Sequence, residues 1–500
     1  MVRMVLMGCL SLLLANMVGS SAMAQTDNLE TFADWCKHKN NVNPEATRTV
    51  EILLRRARTE DCALAEEHLM SRDTLFLSRK GVKDLSPLAS FTHLRYLFLD
   101  GNQIEDIEVL SNLTSLNSLN LDDNQIKDLE PLANLTSLRD LNLEENEIED
   151  LEPLANLVSL YNLNLEGNRI KDITPISGLT QITLLNLRRN GINDVKALSV
   201  LVRSLNTQGL SFRLITGDDG QVDVEETDFV AFISILLEYN QIKDLSSLAE
   251  LRDQTDNKLI KIHLGYNQIE DVTPLSEIPV LNTLNLSGNP TLNLQSVAEL
   301  TNVKILVLND NQIEDISPIS SLTNLFHLSI GQNQIKDLEA LSDLTGLVSL
   351  DLHGNQIGNL EPLSNLIRLE RLELYDNQIK NLEPLSSLVA LENLVLRNNQ
   401  IEDVETLSEL VNLDWLDLEG NQIQDIEPLI TLTNLIALHI DDNLLGLDDC
   451  PEKLKQVCRF QEPSERQREN VENLLRTISD PAPGTFVIPN EVFEGILETP

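Results

Sequence analysis

One period governs this chain. Asn102, Asn124, Asn146, Asn168 and Asn190 stand 22 residues apart, and a second run keeps the same step: Asn267, Asn289, Asn311, Asn333, Asn355, Asn377, Asn399, Asn421 and Asn443. Asn240 falls between the runs, and Lys80 occupies the equivalent slot one period before Asn102, which makes sixteen units. A fixed period of this length means stacked copies of one small element, each contacting only its neighbours. It overrides the several separate domains that 500 residues would otherwise imply.

Within one unit, Leu116, Leu119, Leu121, Asn124 and Ile126 set the pattern L-x-x-L-x-L-x-x-N-x-I, followed by Asp128-Leu129-Glu130-Pro131-Leu132. Leu119 and Leu121 give the period-two signal of a short strand with one buried face. One unit cannot cover its own leucines. The units therefore stack as a parallel ladder with strands ~4.8 Å apart, forming a curved rod about 75 to 80 Å along its ladder. The recurring Asn fits a buried amide that satisfies backbone groups of its own and adjacent coils. Pro87, Pro131, Pro153, Pro274, Pro318, Pro362 and Pro428 open the return segment, where a fixed φ and a missing N–H suit the start of a short helical turn.

This motif resembles the leucine-rich repeat family, and the unit N-x-I-x-D-L-x-P-L is similar to the internalin-like, short-repeat class known from bacterial surface proteins. The resemblance covers residues 71 to about 449. It implies an α/β solenoid, a leucine-rich-repeat horseshoe with a parallel sheet on the concave face, short 3₁₀ turns on the convex face and a helical N-terminal cap. Internalins continue into an immunoglobulin-like domain and a wall anchor. The 42 residues after Cys458 carry no L-P-x-T-G sorting signal, so attachment to a Gram-positive wall is not expected.

Outside the repeats, residues 1–24 carry Arg3, an apolar stretch from Met4 to Val18 and Ala22-Met23-Ala24, the features of a cleaved export signal. The mature chain is expected to be secreted or periplasmic, without a transmembrane segment. Four cysteines remain in two local pairs, Cys36 with Cys62 and Cys450 with Cys458, and an exported chain favours two disulfides. A metal site built from Cys36, His38, Cys62 and His68 is the alternative for the first pair, although it has no recognised spacing. Residues 25–70 read as a helical cap in which Pro44 opens a segment with Val50, Leu53, Leu54 and Ala57 on one face. Residues 450–460 read as a disulfide-closed C-terminal cap, and 461–500 as a polar helix followed by a flexible tail.

The period breaks twice near the middle. Asn190 to Asn240 spans 50 residues and Asn240 to Asn267 spans 27. Within the insertion near 200–232, Leu210 to Thr216 and Gln221 to Val224 alternate around Gly217-Asp218-Asp219-Gly220, which points to a β-hairpin, with a degenerate repeat around Leu205 as the alternative. A calcium loop is disfavoured there, because Ile215 stands where its first acidic ligand should be.

The charge excludes one class of partner. With 37 basic and 79 acidic residues the chain sums to −42, and nucleic acid or an anionic membrane would be repelled. No Gly-rich phosphate loop, G-x-S-x-G or H-E-x-x-H occurs, and no mature cysteine is left unpaired, so neither an enzyme nor a cofactor is expected. Twelve aspartates, from Asp84 to Asp425, sit four residues after the ladder position and read as turn formers.

Function is sought on the strand positions that face out of the core, the usual binding face of solenoids. In the N-terminal half these positions form an Asn column (Asn120, Asn142, Asn164, Asn186) beside an acidic one (Asp100, Asp122, Glu144, Glu166). Such repetition also fits unit duplication on a solvated face. In the C-terminal half the residues are less repetitive: His353, Arg371, Glu373, Tyr375, Arg397, Trp415, Asp417 and His439, with His327 at an earlier strand start. These types suit anchoring a partner. The expected function is a non-catalytic, monomeric, secreted scaffold binding a protein or peptide. The alternative is a structural or adhesive envelope protein that binds glycan or divalent cations through stacked acidic residues.

Overall fold

The computed structural model describes residues 29–203, 213–216, 222–225, 232–253, 259–445, 451 and 454. The export signal, the Cys450–Cys458 pair, the C-terminal helix and tail and much of the insertion lie outside the described residues. Sixteen parallel strands follow one another in chain order, within two compact units, Met1–Arg169 and Ile170–Pro500. Among the described residues no helix is long and apolar enough to cross a membrane.

The first unit opens with three helices: α1 Phe32–Lys37, α2 Pro44–Ala57 and α3 Cys62–Met70. Local chemistry sets their starts. Thr31 and Asp34 form a capping box on α1, the Asn43 side chain accepts from Ala46 N with Pro44 following, and Asp61 accepts from Ala63 N and Leu64 N. Val50, Leu53, Leu54 and Ala57 of α2 are buried, as the apolar spacing requires. Cys36 and Cys62 are disulfide-bonded, which settles the metal alternative for that pair and ties α1 to α3.

The cap also completes the first coil. Lys80 stands where later coils carry a ladder Asn, and here the Arg48 guanidinium of α2 donates to Lys80 O while Thr49 Oγ1 donates to Asp84 O. Phe32 meets Phe91 edge-on, with centroids 6.0 Å apart, so the cap shares its core with the repeats.

Five strands of this unit, Thr74–Phe76, Tyr96–Phe98, Ser118–Asn120, Asp140–Asn142 and Asn162–Asn164, pair in parallel, each residue matched to the one 22 positions on. Equal unit length makes that register unavoidable. The return segments are 3₁₀ turns such as Glu130–Leu132 and Glu152–Leu154, and Leu119, Leu121, Leu129 and Leu132 are buried together as the pattern predicts.

The second unit holds eleven of the strands, from Leu184–Asn186 to Ala437–His439. Both breaks in the period lie outside the ladder. Leu184 pairs with Ser234 across the 50-residue step, and Leu259 with Phe232 across the 27-residue one. Arg213–Thr216 pairs antiparallel with Val222–Glu225, the hairpin pairing that the alternation predicts.

The ladder asparagines behave as one device. Asn377 Nδ2 lies 3.0 to 3.2 Å from the carbonyls of Leu352, Leu374 and Tyr375, and its Oδ1 accepts from Ile357 N at 3.0 Å. Asn124, Asn240 and Asn421 repeat the pattern. The aspartates four residues on accept from the backbone N–H two positions further, Asp128 from Glu130 and Asp425 from Glu427, so they are turn formers.

Candidate functional site

Strand alternation sends the leucines into the core and the intervening residues to the open face of the sheet. In the second unit, Ser349↔Arg371↔Asn393↔Trp415↔Ala437 form one row across the strands and Asp351↔Glu373↔Val395↔Asp417↔His439 the next. His353, Tyr375, Arg397 and Glu419 follow just beyond the strand ends, two residues before each ladder Asn.

The register builds a stack from three of the predicted residues. His353 lies on Tyr375 with centroids 4.5 Å apart and planes 12° apart. On the other side, Arg397 Cζ stands 4.4 Å from the Tyr375 centroid. The tyrosine is therefore sandwiched between an imidazole and a guanidinium, each contributed by an adjacent coil. The stack can begin at His353 because Gly331 precedes it in the row, where a Cβ would collide with the imidazole.

Below the stack, His353 Nδ1 meets Asp351 Oδ1 at 2.7 Å, and Ser329 Oγ donates to Asp351 Oδ2 at 2.7 Å. Burial alone would raise the Asp351 pKa, but the His353 and Ser329 contacts hold it below the usual carboxylate range. Burial likewise opposes the His353 charge, and the bond to Asp351 wins and raises its pKa. Glu373 is pushed up to about 7, mainly by burial and then by Asp351. Burial raises Tyr375 and Asp417 as well.

Trp415 and His439 form a second aromatic contact, 5.1 Å between centroids. Asp417 is 7% exposed and accepts from Glu419 N at 3.1 Å, so part of its capacity serves the backbone. Arg371 forms no ion pair among the described residues and is half-buried at its strand start. His327 departs from the expectation of an open-face anchor: it is 5% exposed, and neither ring nitrogen has a hydrogen-bond partner.

The Asn column of the first unit is also explained by the backbone, since Asn120, Asn142 and Asn164 each accept from the N–H two residues on. One cluster escaped sequence reasoning. Arg188 Nη2 lies 2.8 Å and His263 Nδ1 3.3 Å from Glu238 Oε1, with all three residues buried. Its signal was present, because Arg188 and Glu238 each stand two residues before a ladder Asn. The 50-residue step hid their adjacency. Among the described residues no group of three or more His, Cys, Asp or Glu side chains is placed to hold a metal ion.

Comparisons with known proteins agree with this architecture. The family model described as leucine-rich repeats (2 copies) matches residues 114–156, 323–365 and 367–409. A leucine-rich-repeat protein of Leptospira interrogans superposes with a TM-score of 0.60 at 23% identity, covering 79% of this chain and 96% of that one. The functional domain of an internalin from Listeria monocytogenes that includes a cysteine ladder gives 0.53 at 20% identity, covering 81% and 79%. A further Listeria monocytogenes internalin is 29% identical over 80% of this chain and 96% of its own, with a TM-score of 0.48. No curated protein sequence matches the chain.

The chain thus carries leucine-rich repeats at the matched residues, and its ladder of parallel strands shares the fold of these solved structures.

Proposed function

We propose that this protein is a non-catalytic, monomeric scaffold, exported from the cytoplasm, that binds a protein or peptide through the open face of its C-terminal repeats. The observation that carries the reading is the His353–Tyr375–Arg397 stack, flanked by Trp415 on His439. Rigid aromatic and arginine side chains dominate binding energy at interfaces, because they bring large contact area at small entropic cost. Here the rings are already ordered against one another before any partner arrives. Glu373, half-buried within this row, would gain from a partner's cation or hydrogen-bond donor. Export is supported by the N-terminal sequence and by the Cys36–Cys62 disulfide, since such bonds persist in oxidising compartments.

The test is affinity capture from envelope and culture-medium proteins with residues 25–500, beside a variant carrying Arg371→Ala, Tyr375→Ala and Trp415→Ala, each with and without chelator. Circular dichroism first establishes that the variant is folded. A protein retained by the parent and lost by the variant, with chelator irrelevant, is the expected result. Each aromatic truncation should weaken the isolated complex by about 2 kcal/mol, roughly 30-fold. Equal capture by both proteins, or capture abolished only by chelator, would instead favour cation-dependent adhesion.

A further inference from the structure

The first unit carries a different surface on its open face. Register places Phe76 beside Phe98, and their rings stack with centroids 4.8 Å and planes 10° apart. Phe76 remains 45% exposed, so the pair ends in an accessible apolar face rather than a core contact. Solvated sheet faces do not require such a ring, and its exposure costs favourable burial that a partner could restore.

Two residues beyond the Phe76 and Phe98 positions, and continuing onto the next two coils, runs the row Ser78, Asp100, Asp122, Glu144. Among the described residues none of these three carboxylates forms an ion pair. The basic groups Lys127 and Arg169 both go to Glu147 instead. The carboxylates are held in place: Asn120 Nδ2 lies 3.4 Å from Asp100 Oδ1, and Asn164 Nδ2 donates to Glu144 Oε2 at 2.8 Å. Burial, then repulsion from its acidic neighbours, pushes Asp122 up to about 6. Burial also raises Glu144, to about 7, with Asp122 and Glu166 adding to the shift.

We propose that this face is a docking surface for an extended cationic segment bearing one exposed apolar side chain. Phe76, backed by Phe98, receives the apolar group, and Asp100, Asp122 and Glu144 receive the basic ones. The charge distribution selects this occupant over a metal ion. Carboxylates on successive coils are spread along a row at about the strand spacing of 4.8 Å, and no cluster of three acidic or His side chains converges to hold an ion among the described residues. A row of this kind is matched by lysine or arginine side chains repeating along a chain, which relieve the repulsion and replace the water lost on burial. The phenylalanine face beside it requires that the segment also present an apolar group.

Fluorescence anisotropy tests the proposal, using the full mature chain and a short labelled peptide with one phenylalanine and several lysines. Asp122→Asn combined with Glu144→Gln should weaken binding at least about tenfold, because both like-charge repulsion and its relief are removed. That variant keeps side-chain shape, so its thermal midpoint should equal or exceed the parent's. Phe76→Ser, or a phenylalanine-free peptide, should cause a comparable loss, while Val158→Ala, at an exposed apolar residue outside the row, should leave the affinity unchanged. No saturable binding by the parent, equal affinity for the neutralised variant, or equal affinity for the phenylalanine-free peptide would each overturn the proposal.

Discussion

At the scale of single residues, this protein spends its polar side chains mainly on its own backbone. A ladder asparagine such as Asn355 donates to the carbonyls of Ile330, Leu352 and His353 and accepts from Ile335 N, so one buried amide ties its own coil to the coil before it. His327 is the exception. Burial, partly opposed by Asp351, lowers its pKa from the ordinary 6.5 to about 4. The unfolded chain therefore takes up a proton that the native protein refuses, and stability falls as pH drops from 6.5 towards 4. His327→Leu removes that proton uptake and an unpaired buried imidazole. Urea midpoints recorded across this range should decline less with acid in the variant than in the parent, and parallel curves would show that other groups govern the acid response.

At the scale of elements, the helical cap has two tasks: it shares an apolar core with the first coil, and it hydrogen-bonds that coil's carbonyls. Arg48 and Thr49 perform the second task from α2, and the Cys36–Cys62 bond fixes α1 against α3 around it. Closing the loop of 26 residues contributes about 3 kcal/mol in the chain-entropy account. Cys36→Ser with Cys62→Ser should lower the unfolding free energy by that order, read from denaturant midpoints, and a reductant should lower the parent's midpoint by at least as much as the substitution does. An unchanged midpoint in both would mean that helix capping and the Phe32–Phe91 contact suffice. Pro44, the apolar face of α2 and the cysteine pair were all legible from sequence. The Arg48 contact was not, because it is made to a carbonyl, and a carbonyl leaves no trace in the identity of the residue that carries it.

At the scale of the whole molecule, stability is a sum of coil and neighbour terms rather than the property of one core. Leu350 is fully buried in the Ser349–Asp351 strand, flanked by Leu328 and Leu372. Leu350→Ala should cost about 3 kcal/mol by leaving a cavity. Hydrogen exchange should show the loss of protection concentrated in the strands carrying Leu328 and Leu372, with the Leu281–Asn285 strand little changed. A uniform loss across the second unit would instead indicate one cooperative block.

The period, the count of strands and the role of each recurring Asn and Asp were present in the sequence, because a repeat states its own contacts sixteen times. The candidate face was legible as a set of residue types in columns, since alternation along a strand determines which side chains leave the core. Which of them touch was decided only by the tertiary structure. The Tyr375 sandwich depends on ring orientation and on the space left by Gly331, the burial of His327 on its packing, and the Arg188–Glu238–His263 cluster on a register that spans an insertion. A sequence specifies position along the chain; distances between side chains of different coils exist only once the coils are stacked.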